Sequence, residues 1–176
     1  GVYPKLLEGG NEKILQVNLM QFFYIAFPLM ALSITLAKPG LFALNPIYTL
    51  AVPVVILLTL RQFLTTMNLL LFQALQGIEK VDLDKKSTFK DYAKSKLILF
   101  PTFQIIRHVV YIGSLVIILV LINSEDNTEI NLVIYWAAIG LIVEIPLFMY
   151  IVRLTNKSFT LKLNFKSIFK YLSSSV

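Results

Sequence analysis

The chain of 176 residues contains no cysteine, which removes disulfide scaffolds, thiolate nucleophiles, thiolate zinc sites and cysteine-held iron–sulfur clusters from consideration. Histidine is almost as scarce, with His108 alone. A haem held between two histidines of this chain is therefore impossible, and a lone histidine is more often a hydrogen-bonded packing residue than a ligand. Nucleophilic catalysis needs a nucleophile, a base and an orienting group, and no acid stands near His108 in sequence. Glycine loops that cradle phosphates and dinucleotide fingerprints are missing too. The sequence thus gives no reason to expect an enzyme, a bound metal or a cofactor.

Charge is also in short supply. Only 15% of the residues are charged while 57% are hydrophobic, against about 25% charged in soluble domains. The mean hydropathy of +0.75 belongs to the membrane class. The first eighteen residues lack the basic, then apolar, then small-residue order of a secretory signal. With Gly1 where a Met would stand, the chain reads as processed or trimmed, with any targeting segment already gone.

What is present is a succession of long oily stretches. The pattern predicts an all-α polytopic membrane protein in one domain, with four transmembrane helices arranged as two hairpins. The first span covers about 19–36 and contains Pro28. Lys38-Pro39-Gly40 and Asn45-Pro46 then punctuate a tight connection, because proline disfavours helix in the residue before it and glycine permits a turn. The second span covers about 47–68, in a helix extending to about 77.

Residues 79–96 hold six lysines and four acids, which no bilayer core accepts, so they form a loop. Thr88-Phe89-Lys90-Asp91 has the spacing of a capping box and predicts a helix start. A third span covers about 97–122, with Pro101 bending its beginning, and a fourth about 130–152, after the polar turn Asn123 to Glu129. The basic tail 153–176 alternates at Phe159, Leu161, Leu163 and Phe165, as a strand would, whereas Ile168, Phe169 and Leu172 suit a short amphipathic helix. Both readings of the tail stay open.

Four spans place the amino-terminal segment, the 79–96 loop and the tail on one side of the membrane. Thirteen Lys and Arg residues lie there, against Lys38 alone on the other side. A bias of that size over short connections predicts that both termini face the cytoplasm or the mitochondrial matrix. The net charge of +6 is then a topology signal, and Lys85, Lys86, Lys157 and Lys162 are candidates for contacts with anionic lipid headgroups rather than with nucleic acid.

Four ionisable residues fall inside the spans: Arg61, Arg107, His108 and Glu144. Each charge in hydrocarbon costs at least ~2.5 kcal/mol on insertion scales, so such residues find partners. Arg61, Arg107 and Glu144 sit at similar depths. Arg61, Thr65 and Asn68 share one helical stripe, as do Ala137, Gly140 and Glu144, and as do Arg107, Tyr111 and Ser114. The expectation is an intramembrane polar cluster in which Glu144 pairs with Arg61 or Arg107, Asn68 and His108 are secondary polar members, and the small residues beside Glu144 admit a neighbouring helix. Pro146 is placed to free the carbonyl of Ile142 and widen a polar pocket. Phe22, Phe23, Tyr24, Tyr48, Tyr135, Trp136 and Tyr150 read as interfacial anchors.

Two functional readings follow. The first is a non-catalytic membrane subunit or scaffold within a larger assembly, with a mitochondrial inner-membrane complex of respiratory or ATP synthase type as the first expectation and other membrane subunits as partners. The alternative is a small transporter or channel component using the Glu/Arg cluster. The two halves of the chain do not resemble each other, and four helices are few for a self-contained pathway.

Overall fold

In the computed structural model, residues 12–77, 96–121 and 129–159 are described. Among them every element is helical: α1 (Glu12–Leu44), a short 3-10 helix (Pro46–Ala51), α2 (Val52–Gly77), α3 (Lys96–Leu121) and α4 (Glu129–Ser158). Four of these segments are long and apolar enough to cross a bilayer: Leu15–Leu44, Pro46–Gly77, Pro101–Val120 and Ile130–Ser158. The 79–95 part of the loop, its capping box at Thr88, most of the 123–129 turn and the tail beyond residue 159 lie outside the described residues.

One expected break is displaced. α1 runs straight through Lys38-Pro39-Gly40 and ends at Leu44. With 33 residues, it measures about 50 Å, well beyond a hydrocarbon core of about 30 Å. The reason is local. Lys38-Pro39-Gly40 offers no side-chain acceptor to replace helical bonds. Asn45 does: its Oδ1 accepts from Ile47 N (3.0 Å), and its backbone is extended at φ −165°, as proline at the next position demands. The backbone bond from Asn45 N to Leu41 O (3.0 Å) closes α1, and the bond from Tyr48 N to Asn45 O (2.9 Å) opens the 3-10 helix. Between α1 and α2 the chain therefore turns at Asn45-Pro46 and not at Lys38-Pro39-Gly40.

α2 is the hub. It packs most extensively against α4, then against α1, while α3 leans mainly on α4. The apolar core lies toward one end of the bundle, where Leu15 and Leu19 of α1, Leu71 and Leu75 of α2, and Leu147 and Ile151 of α4 meet. Phe159, at 5% exposure, closes that end, and its N–H donates to Thr155 O (2.8 Å), continuing the helical pattern into the start of the tail. α3 contributes almost nothing to this core: no residue between 101 and 120 is buried. Lipid is as apolar as leucine, so burial does not hold such helices together; packing and hydrogen bonds do.

Candidate functional site

The site is built where α2, α3 and α4 converge. On α4, Ala137, Gly140 and Glu144 recur at helical spacing, and all three are buried. The absence of bulk at Ala137 and Gly140 lets α2 lie against α4, which brings the α2 stripe Arg61, Thr65 and Asn68 over Glu144. Glu144 is 1% exposed, and its carboxylate accepts from three side chains. Thr65 Oγ1 donates to Oε1 (2.7 Å), Asn68 Nδ2 donates to Oε2 (3.4 Å), and Arg107 Nη1 of α3 forms an ion pair with Oε1. Of the two arginines expected as partners, Arg107 is the one that binds Glu144.

Arg61 takes a different place. Its guanidinium carbon lies 5.2 Å from the centre of the Tyr111 ring, within reach of a cation–π attraction. Its other side rests on Gly140: a Cβ there would come within 2.7 Å of Nη1 and 2.9 Å of Cζ. A side chain at this position would have to displace the end of Arg61. Among the described residues Arg61 forms no ion pair. The cluster therefore carries two formal positive charges and one negative.

A cavity of about 910 Å³ opens beside these groups, between α1 and α2. Phe22, Ile25, Leu29, Val55 and Leu58 line it together with Arg61, Thr65, Arg107 and Glu144. Thr59, Gln62 and Thr66 line it at helical spacing along α2. That stripe was the available sequence signal for the cavity, but it needed the path of α1 to acquire meaning.

The remaining candidates are dispersed. Asn68 is 2% exposed; its Nδ2 serves Glu144 while its Oδ1 lacks a partner. His108 lies on an exposed face of α3, with Nδ1 donating to Gln104 O (2.6 Å). Ser114 Oγ donates to Val110 O (2.7 Å) within its own helix and does not join the cluster. Pro146 lies inside α4 and is exposed, while Ile142 does not line the cavity. Lys157 is exposed in the last turn of α4; Lys85, Lys86 and Lys162 lie outside the described residues.

Two of the expected anchors are engaged between helices. Phe22 and Phe23 join Phe27 and Phe63 in a four-ring cluster between α1 and α2, with centroid separations of 5.3–6.3 Å. Phe23 is 5% exposed, because helical spacing turns it toward α2 while Tyr24 points away. Tyr24, Tyr48, Tyr135, Trp136 and Tyr150 are outward-facing, and Tyr150 also packs its ring against Phe103, tilted by 46° at a centroid distance of 4.8 Å. No group of three His, Asp or Glu residues is placed to hold a metal ion among the described residues. No protein-family model matches the chain, and comparison with curated proteins and with solved structures gives no significant match either.

Proposed function

We propose that the chain is a non-catalytic polytopic subunit or scaffold of a larger membrane assembly, and that α3 is the helix it offers to a partner. The observation that carries this is His108. It sits at the middle of α3, about 18 Å from either end at 1.5 Å per residue, on an exposed face with its Nε2 unpartnered among the described residues. Ionisable residues inside membranes almost always face protein or water. A neutral imidazole that donates through Nδ1 presents Nε2 as an acceptor, so a neighbouring transmembrane helix carrying an N–H or O–H donor would satisfy it. The rest of that face, including Ile105, Val109 and Ile112, is exposed and apolar, and so suited to helix packing.

Glu144 supports the same reading. Its acceptors are taken up by donors from two other helices, which makes it a tie between helices rather than an open proton relay. The basic loop and tail suit a cytoplasmic or matrix face with anionic lipid, and an energy-transducing inner membrane is a setting with both. The test is a photocrosslinking residue at Ile112, in membranes of the source cell. A single discrete heavier product, weakened by His108→Leu, is the expected result. Crosslinking to lipid alone, with the solubilised chain migrating as a monomer, would remove the subunit reading.

A further inference from the structure

Independently of any partner at α3, the geometry points to a second property: we propose that the cavity between α1 and α2 binds a single-chain amphiphile bearing one carboxylate, which enters sideways from the bilayer and sets its head on Arg61. The argument begins with charge. The lining includes Arg61, Arg107 and Glu144, and the Arg107–Glu144 pair cancels itself. One positive charge is left over, on a guanidinium that stacks on Tyr111 and lines the cavity. An unneutralised cation at this depth is costly, and a single anion offsets it. Guanidinium matches a carboxylate through two parallel N–H···O bonds.

Shape and depth narrow the occupant. The wall is mostly apolar, and Ile25 and Leu29, which line it, are 60% and 56% exposed on the outer surface of α1. The opening therefore faces lipid, and an alkyl chain can lie along α1 and α2. The volume of about 910 Å³ is at the upper end of the ~300–1,000 Å³ typical of small-molecule sites. A free inorganic anion would leave this apolar wall unused. Arg61 is midway between Pro46 and Gly77, which places it near the middle of a core about 30 Å thick, roughly 15 Å from either interface. A phosphodiester headgroup tethered at the interface is poorly placed to reach it. A monocarboxylic acid can enter hydrocarbon in its neutral form, which a phosphodiester cannot do.

The experiment uses the full chain in lipid nanodiscs and a long-chain carboxylic acid carrying a diazirine in its tail, with labelled residues mapped by mass spectrometry. Expected are saturable labelling within 25–33 and 55–66, competition by unlabelled long-chain acid, and roughly tenfold or greater loss of apparent affinity in Arg61→Gln. Ala26→Trp fills the cavity without touching the cluster and should abolish the same labelling, which keeps the test decisive if Arg61→Gln fails to fold. The proposal is overturned if a matching long-chain alcohol labels the site equally well, if a diacyl anionic phospholipid probe displaces the acid, or if Ala26→Trp labels like the unaltered chain.

Discussion

The Glu144 cluster makes a quantitative demand on stability. Glu144→Gln preserves volume but replaces one acceptor oxygen with an NH₂ group. With its nitrogen toward Asn68, whose unpartnered Oδ1 can turn to accept, the amide keeps its oxygen for Thr65 and Arg107, so the cost falls on the lost charge. Arg107, with 15% of its side chain exposed, is left without its counter-charge. Breaking a buried pair from one side costs about 3–5 kcal/mol, whereas neutral interhelical hydrogen bonds in membranes average about 0.6 kcal/mol and reach about 1.7. Glu144→Gln should therefore cost at least ~3 kcal/mol, and Thr65→Val no more than ~1.7.

Removing both charges is different: Arg107→Met with Glu144→Leu should cost less than Glu144→Gln alone, because neither charge is then stranded and only the Thr65 and Asn68 donors lose their acceptor. Reversible unfolding in mixed micelles, run as a double-mutant cycle, gives the coupling directly. A Glu144→Gln cost below ~1 kcal/mol, or singles and double that add within ~0.5 kcal/mol, would refute the reasoning.

Three further outcomes are expected. Gly140→Ala should displace the far end of the flexible Arg61 side chain from Tyr111 at a net cost below about 1 kcal/mol, because the helix propensity of alanine over glycine offsets part of the lost contact; a larger loss in the same unfolding assay would contradict this. Phe63→Ala, which removes the α2 member of the four-ring cluster, should cost about 3 kcal/mol or more, while Tyr24→Ala, at a position 76% exposed, should change unfolding by less than ~0.5 kcal/mol. Tyr111→Phe deletes a buried hydroxyl that has no hydrogen-bond partner and should be neutral or slightly stabilising, as a thermal scan in detergent would register.

The existence of four long apolar helices was legible because hydrocarbon imposes its own length and composition on anything that crosses it. The ends of those helices were less so. Pro39 and Gly40 look like a turn in isolation, but a helix keeps its backbone bonds where no side chain offers a substitute, and here Asn45 is the residue that does. The site was legible to the level of depth and stripe, which brought Arg61, Thr65, Asn68, Arg107 and Glu144 together. Depth alone did not distinguish the arginine that binds Glu144 from the one that stacks on Tyr111, since that choice depends on the rotation of α3 about its axis. The same limit applies to Phe22 and Phe23, where position near a span end suggested an interfacial role and helix rotation assigned them to the α1–α2 contact.

The most direct test of the membrane-crossing account exploits the absence of cysteine. Single cysteines at Ala43, Lys86 and Asn127, each probed in sealed vesicles with a membrane-impermeant maleimide, report the side of three connections. Four crossings require Ala43→Cys and Asn127→Cys to label from the same face and Lys86→Cys from the opposite, basic face. Labelling of Lys86→Cys together with Asn127→Cys from one side would mean that α3 does not cross, and would contradict the account.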